Sequence, residues 1–238
     1  MKKTLITLLA LAGVAAAADS TQELWSLDFT GTSLTSSFAD GVSLSTLPTS
    51  GINNGLTLNN APLTLTQTGS ILTYEDQFIF SVTLQVNSHL GTHPELVGFG
   101  NKKSEYDLHN WKAAYYVGDD NFVLDKNGFG TPNETNKAIG DVSVTLNTPI
   151  TLSFKSDGEG TVTMYVGDTV AGYTTIGEDH LKQSINKFAL GGRIGGKKGN
   201  NANVTVYGAS LTKIIPEPTT ATLSLLALAG LVTRRRRK

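Results

Sequence analysis

The sequence predicts an all-β protein, an antiparallel β-sandwich, and three observations lead to this fold class. Apolar and polar residues alternate with a period of two in many short segments of the chain, which is typical of strands with one buried face. Turn-forming residues separate these segments at intervals of about 8–12 residues. No segment shows clear helical periodicity except a candidate turn at 178–185. Many short strands joined by regular turns are typical of antiparallel sandwiches.

The predicted strands extend from the start of the body of the chain to its end. In chain order they are 24–29, 78–86, 113–117, 122–124, 142–146, 150–154, 161–166, 169–173 and 204–207. The segment 78–86 is the longest, and alternation places Phe78, Phe80, Val82, Leu84 and Val86 on one face. Residues 118–121, 147–149 and 167–168 have the composition of turns between consecutive strands. About a dozen strands in one domain favour a jelly roll over an immunoglobulin fold.

The second half of this region carries motifs of a known superfamily. A strand ending in Tyr165-Val166-Gly167-Asp168 is followed by a segment containing Leu190-Gly191-Gly192. This arrangement resembles the LamG/concanavalin A-like lectin–glucanase superfamily, in which Tyr-Val-Asn-Gly leads into a hairpin and a strand near Leu-Gly-Gly follows. The resemblance covers 140–213 by motif and 24–139 by pattern alone. It implies a concanavalin A-like jelly roll and carries no chemistry of its own.

Residues 1–18 have the pattern of a signal peptide. Lys2 and Lys3 precede an apolar stretch that begins at Leu5, and an Ala-rich cleavage site comes before Asp19. The apolar stretch is too short for an ordinary membrane span. The sequence therefore predicts an exported protein whose mature chain begins near residue 19.

The C-terminal segment 216–238 has three features in a fixed order. Pro216, Glu217 and Pro218 come first, a short apolar stretch follows, and the cationic end consists of Arg234, Arg235, Arg236, Arg237 and Lys238. Physically this is a marginal membrane helix held by a cytoplasmic cationic block. It resembles the PEP-CTERM sorting signal of Gram-negative bacteria. That resemblance implies an exosortase-type membrane transpeptidase as partner, and delivery to the cell surface, the outer membrane or an extracellular matrix. A simple membrane anchor is the alternative.

The charge of the chain differs between its ends and its body. The whole chain carries 19 basic and 20 acidic residues, a net charge of −1, and no cysteine. Without the two end segments, the body at 19–215 keeps 12 basic and 19 acidic residues, so its formal charge is −7. The absence of cysteine excludes disulfides and thiolate metal sites. An acidic body argues against nucleic acid as a partner.

A polar segment at 87–111 contains the residue types of a glycan site. Aromatic rings pack on sugar faces, and carboxylate and amide groups bond to sugar hydroxyls. The candidate glycan-binding residues are Glu105, Asp107, His109, Asn110 and Trp111. The alternative is a solvated loop with one buried tryptophan.

The same segment argues against glycoside hydrolysis. Retaining glucanases of the resembled superfamily carry Glu-x-Asp-x-Glu on one strand, so that nucleophile and acid lie about 5–5.5 Å apart. Glu105 and Asp107 match the first two positions, but His109 occupies the third. The sequence therefore predicts a protein that is not an enzyme.

Asp119, Asp120 and Asp125 supply oxygen ligands of the kind that calcium prefers. Calcium is therefore a candidate cofactor, which many lectin and LamG domains use. Turn chemistry is the alternative, because Asn127-Gly128 is a favoured hairpin dipeptide.

Together these features predict an exported surface or matrix protein that binds carbohydrate or exopolysaccharide without catalysis. The alternatives are a structural or adhesive surface protein without a glycan site and a glycoside hydrolase with displaced carboxylates. A membrane contact through the C-terminal segment is part of the expectation.

Overall fold

The computed structural model describes residues 20–59, 61–88, 95–101, 110–116, 121–126, 145–175, 178, 181–192, 194 and 203–216, with backbone alone for 110–116, 121–126 and 174. Within these residues the chain forms sixteen β-strands. They are β1 (Ser20–Asp28), β2 (Thr35–Phe38), β3 (Ser43–Ser45), β4 (Leu56–Asn59), β5 (Leu63–Thr68), β6 (Leu72–Thr73), β7 (Gln77–Ser88), β8 (Glu95–Gly100), β9 (Asn110–Tyr116), β10 (Asn121–Lys126), β11 (Pro149–Asp157), β12 (Thr161–Val166), β13 (Thr169–Thr175), β14 (Ser184–Ile185), β15 (Lys187–Leu190) and β16 (Asn203–Ile215).

Two antiparallel sheets contain most of these strands. The large sheet has eight strands in the order β13-β12-β11-β7-β16-β1-β2, with β4 also paired to β16. The small sheet has six strands in the order β10-β9-β8-β15-β5-β3, and β14 with β6 forms a separate ribbon. The prediction of an all-β antiparallel fold is confirmed.

Strand β7 lies in the middle of the large sheet and shows the predicted alternation. Phe78, Phe80, Val82, Leu84 and Val86 are completely buried, and the residues between them are half-buried. The buried set faces the small sheet. Because successive side chains of a strand project to opposite faces, apolar residues occupy every second position here.

A cluster of aromatic rings joins the two sheets. Phe80 of β7 lies 5.0 Å from Phe188 of β15 and 5.7 Å from Phe99 of β8, measured between ring centroids. Trp25 of β1 lies 5.1 Å from Phe188, and Phe154 of β11 lies 5.3 Å from Phe99. Three of these pairs are edge-to-face and the Phe154–Phe99 pair is tilted. Aromatic pairs of this kind add about 0.5–1.5 kcal/mol each to the free energy gained from burial. The two sheets therefore pack face to face as a sandwich.

The hairpin between β12 and β13 agrees with the sequence prediction. Val166 pairs with Thr169 across Gly167 and Asp168. Gly167 has φ 58°, a left-handed conformation that glycine adopts without steric cost.

The polar segment at 87–111 is not one continuous loop. It contains the end of β7, the whole of β8 and the start of β9. All six residues of β8 are buried, because the strand lies between β9 and β15 inside the small sheet. A strand that is buried throughout has no solvent-exposed face, so alternation could not reveal it.

Two further local predictions differ from the structure. Thr145 and Leu146, expected in a strand, instead belong to a turn in which the Thr148 amide donates to the Thr145 carbonyl and Asn147 has φ 60°. The rest of that expected strand lies outside the described residues. In the expected helical turn at 178–185, Ser184 and Ile185 instead pair with β6. That partner is more than a hundred residues away in the sequence, so a local pattern could not indicate it.

Residue contacts group the chain into two units, Thr21–Ile214 and Met1–Ser20 with Ile215–Lys238. Of the second unit the structure describes Ser20, Ile215 and Pro216, and the Ser20 hydroxyl donates to the Ile215 carbonyl at 3.4 Å. The predicted signal segment and sorting helix lie outside the described residues. Within the described part of the chain, no helix has the length and apolar character needed to cross a membrane.

Candidate functional site

The outward face of the large sheet is lined by hydroxyl groups in register. Ser81 of β7 pairs with Ser153 of β11, and their hydroxyl oxygens lie 2.9 Å apart. Thr83 pairs in the same way with Thr151, at 3.0 Å between oxygens. When one hydroxyl donates to another, the pair still has one hydrogen and free lone pairs to offer. These half-buried pairs can therefore bind a further polar group.

Amide groups continue this polar face along β7 and β16. Gln85 Nε2 donates to Asn87 Oδ1 at 2.8 Å, and Asn87 Nδ2 donates to the Thr205 hydroxyl at 2.9 Å. The Tyr207 hydroxyl donates to Gln85 Oε1 at 3.0 Å. This network fixes the side-chain amides in one orientation.

A β-bulge in β16 opens a groove in the hydroxyl-lined face. The register against β7 shifts between Val206 and Gly208, so Gly208 stands opposite Thr83. Gly208 has no side chain, and an added Cβ there would lie 3.1 Å from the Leu27 carbonyl oxygen. The groove has a volume of about 210 Å³. Its lining residues are Ser26, Leu27, Ser81, Thr83, Gly208, Ala209 and Ser210.

The groove offers hydroxyl groups without a formal charge. The Ser26 hydroxyl donates to Glu23 Oε1 at 2.8 Å, and Ser210 stands opposite Ser81 in the register between β16 and β7. Each hydroxyl can donate one hydrogen bond and accept two. A surface of this composition suits a ligand that is itself rich in hydroxyl groups.

The carboxyl groups with shifted pKa values lie outside the groove. At Asp76, burial raises the pKa. Hydrogen bonds from Lys213 Nζ and the Thr73 amide, together with the Lys213 charge, outweigh the effect of burial and hold the pKa below its usual value. At Asp157 burial also raises the pKa, and amide hydrogen bonds from Glu159 and Thr161 lower it overall. Hydrogen bonds from the Thr30 amide and hydroxyl lower the pKa of Asp28. Asp28 and Asp157 accept hydrogen bonds from the residues that follow their strands, and Asp76 joins its own turn to Lys213 of β16.

The residues predicted to bind a glycan do not belong to this groove. Asn110 and Trp111 lie in β9 of the small sheet, opposite Gly100 and Phe99 of β8. Glu105, Asp107 and His109 lie outside the described residues. The groove and the described part of the predicted glycan site are therefore on different sheets.

The predicted calcium ligands are described only in part. Asp125 lies in β10 opposite Lys112 of β9, and Asp119 and Asp120 lie outside the described residues. Strands β9 and β10 pair with Asn121 opposite Tyr116, as expected for a hairpin at this position. In the ranges that the structure describes, no group of three or more potential metal-binding side chains lies together.

Of the predicted sorting motif, Pro216 directly follows β16 and is exposed. Glu217, Pro218, Arg234, Arg235, Arg236 and Arg237 lie outside the described residues.

The sequence did contain signals of the groove. Hydroxyl residues alternate with apolar ones in β7, β11 and β16, and a glycine interrupts the middle of β16. Glycine inside a strand is typical of a bulge or a close approach. What the sequence lacks is the register that brings Gly208 opposite Thr83 and next to Ser26.

Solved structures with the same fold include domains of larger proteins. Trypanosoma rangeli sialidase in complex with sialic acid superposes with a TM-score of 0.53 at 15% identity, over 79% of this chain and 30% of the sialidase chain. The binding domain of botulinum neurotoxin serotype G gives a TM-score of 0.52 at 15% identity, over 87% of this chain and 51% of that chain. The chain thus spans about a third to a half of these neighbours, and identities this low show a shared fold alone.

No protein-family model matches the chain, and no curated protein matches it in sequence.

Proposed function

We propose that this protein is a non-catalytic carbohydrate-binding module that acts at the cell surface or in an extracellular matrix. The observation that carries the proposal is the hydroxyl-lined groove over Gly208 on the outward face of the large sheet. Sugar hydroxyls are recognised by fixed donors and acceptors, and the Ser81–Ser153 and Thr83–Thr151 pairs supply both.

The fold neighbours support this proposal. One is a sialidase solved with sialic acid, and the other is described as the binding domain of a neurotoxin. The resemblance of 140–213 to LamG/concanavalin A-like domains points in the same direction. The sialidase neighbours are also the reason to keep a glycoside hydrolase as the alternative. Against it stands His109, at the position where the superfamily's glucanases need a glutamate.

The first test is a glycan array probed with the purified full chain. Ser210→Tyr fills the groove with a ring, and Thr212→Tyr places the same ring two residues further along the same strand, outside the groove lining. We expect binding by the wild type and by Thr212→Tyr, and a loss of at least tenfold in Ser210→Tyr at an unchanged melting temperature.

Three outcomes would contradict this assignment. If no array glycan binds the wild type, the lectin function is wrong and a structural or adhesive role replaces it. If Trp111→Ala abolishes binding while Ser210→Tyr does not, the glycan site lies in the polar segment around Glu105, Asp107, His109 and Asn110. Release of sugar from a bound glycan would show catalysis.

Export and sorting complete the proposal. The pattern of 1–18 supports removal of a signal peptide, and the order of features in 216–238 supports processing by an exosortase-type transpeptidase. The protein would then be displayed at the surface or in the matrix of a Gram-negative bacterium, with a membrane contact through the C-terminal segment before processing. Calcium at Asp119, Asp120 and Asp125 remains a candidate requirement, which addition of a chelator to the glycan array would test.

A further inference from the structure

An aromatic edge borders the hydroxyl-lined face of the large sheet. Tyr173 and Val170 of β13 are 42% and 38% exposed, which is high for large apolar side chains. Tyr165 of β12 is half-buried beside them and pairs with Val170. Exposed aromatic and aliphatic groups that lie together commonly mark a binding surface.

Register places this aromatic edge on the same face as the groove. Tyr165 pairs with Ser153, Ser153 pairs with Ser81, and Ser81 pairs with Ser210. Residues directly opposite each other in an antiparallel pair project on the same side of the sheet. Tyr173 pairs with Thr163, which is half-buried between the inward-facing Val162 and Met164. One continuous row therefore runs from Ser210 in the groove through Ser81 and Ser153 to Tyr165 and Val170. Tyr173 projects from the same face in the adjacent row, opposite Thr163.

This row crosses five adjacent strands, from β16 to β13. With neighbouring strands about 4.8 Å apart, its length is roughly 19 Å. A single sugar ring would fill only part of it, whereas an extended chain of sugars could contact both ends.

The row itself carries no formal charge. It consists of Ser210, Ser81, Ser153, Tyr165 and Val170. Lys155, exposed on β11, pairs with Thr163 and so lies in the adjacent row, two strands away from Tyr173. Acidic sugars are usually held by arginine or lysine in the site, and the body of the chain has a formal charge of −7. The row is therefore suited to a neutral ligand.

We propose that the large sheet binds a neutral, extended polysaccharide across its strands, with one sugar packed on Tyr173 and Tyr165 and another in the groove at Gly208. The apolar face of a sugar ring packs on the aromatic rings, and its hydroxyls bond to the serine row. This inference rests on the proposed carbohydrate-binding function and specifies the ligand of the same site.

The experiment compares short and long neutral oligosaccharides by isothermal titration calorimetry with the full chain. The probes are gluco-, xylo- and manno-oligosaccharides of two and six units, with polygalacturonate as the anionic polymer. Tyr173→Ala removes the aromatic ring, and Tyr173→Phe keeps it. Phe38→Ala is the matched control, because Phe38 is 36% exposed at the opposite edge of the same sheet.

We expect a hexasaccharide to bind more tightly than the corresponding disaccharide. Tyr173→Ala should lower affinity for the hexasaccharide about tenfold and leave the disaccharide unchanged. Tyr173→Phe and Phe38→Ala should bind as the wild type does. The affinity for neutral oligosaccharides should not change between low and high salt, since a neutral sugar has no charge whose attraction to the protein salt could screen.

The outcomes separate this inference from the proposed function. If Ser210→Tyr abolishes binding but Tyr173→Ala binds the hexasaccharide normally, the protein is a lectin and the extended site is wrong. Tighter, salt-sensitive binding of polygalacturonate would also overturn the inference. So would self-association of the wild type that Tyr173→Ala abolishes, since the aromatic edge would then bind a second copy. If no glycan binds at all, both proposals fail together.

Discussion

Gln67 shows how this protein accommodates polar atoms in an aromatic core. Its side chain is almost completely buried, and its Oε1 accepts a hydrogen bond from Trp25 Nε1 at 2.8 Å. Its Nε2 donates to the carbonyls of Gly69 and Ser70 at 3.1 and 3.0 Å. A buried amide without these partners would cost about 1–3 kcal/mol. One side chain thus provides a hydrogen-bond partner for the buried indole nitrogen and for two backbone carbonyls of the turn at Gly69 and Ser70.

Asp76 makes stability depend on pH at the acidic end of the range. Its folded pKa lies below the ordinary value of 3.8, because the Lys213 and Thr73 hydrogen bonds and the Lys213 charge outweigh its burial. The stabilisation is therefore fully present above the unfolded pKa and is lost as pH falls through the folded pKa. Asp76→Asn should lower the free energy of unfolding at pH 7 by up to about 1 kcal/mol, since the pair is partly exposed.

Urea unfolding at pH 7 and at pH 2–3 measures this effect. The difference between wild type and Asp76→Asn should shrink at the lower pH. Glu75→Gln, at the exposed neighbouring position, is the control and should differ little from the wild type at pH 7. An equal difference at both pH values would show that the carboxylate charge contributes nothing.

At the level of elements, β15 is followed directly by a glycine, Gly191, that no other residue can replace without cost. Gly191 has φ 77°, and an added Cβ would lie 2.9 Å from both Leu58 Cδ1 and Val204 Cγ2. Its amide also donates to the Leu96 carbonyl at 2.8 Å, which fixes its position beside β8. The turn after β15 therefore needs both the left-handed backbone and the missing side chain.

Two glycine-to-alanine variants separate these requirements. Gly167→Ala meets no atom within 4 Å but has φ 58°, so it should lose only about 1 kcal/mol for the left-handed backbone. Gly191→Ala adds the steric contact and should lose roughly 2–4 kcal/mol in the free energy of unfolding. Urea denaturation measures both. Equal losses in the two variants would show that Leu58 and Val204 move aside freely.

How well each element could be predicted depended on where its partners lie. Strand β7 could be predicted because apolar and polar residues alternate along it. The β12–β13 hairpin could be predicted because a glycine turn joins its two strands locally. Strand β8 was missed, because all six of its residues are buried, Glu95 included, and exposed positions do not alternate with buried ones. The groove was missed for a different reason. It is made by the pairing of β1, β7 and β16, which are distant in the sequence, and pairing register is not encoded locally.

On the scale of the whole molecule, the first and last strands of the body are neighbours in the large sheet. Strand β1 lies next to β16, and Ser20 is hydrogen-bonded to Ile215. The proposed signal segment precedes one of these strands, and the proposed sorting segment follows the other.

The sorting proposal predicts a specific processing defect. Combined Pro216→Ala, Glu217→Ala and Pro218→Ala substitutions should leave unprocessed protein in the membrane fraction of a Gram-negative host that has an exosortase. Without the motif the transpeptidase has nothing to recognise. Cell fractionation with mass spectrometry of the C-terminus measures the result. Thr219→Ala with Thr220→Ala is the control, and identical processing of both variants would disprove the sorting role.

Strand β16 also determines how the domain would respond to mechanical force. It is the longest described strand, with 13 residues, and it lies between β7 on one side and β1 with β4 on the other. Hydrogen bonds in antiparallel sheets run perpendicular to the strands. A pull on the chain beyond Ile215, directed along the strand, therefore loads these bonds in shear and all at once, instead of opening them one after another. The strand that precedes the proposed sorting segment is thus well placed to resist mechanical unfolding when force is applied through that segment.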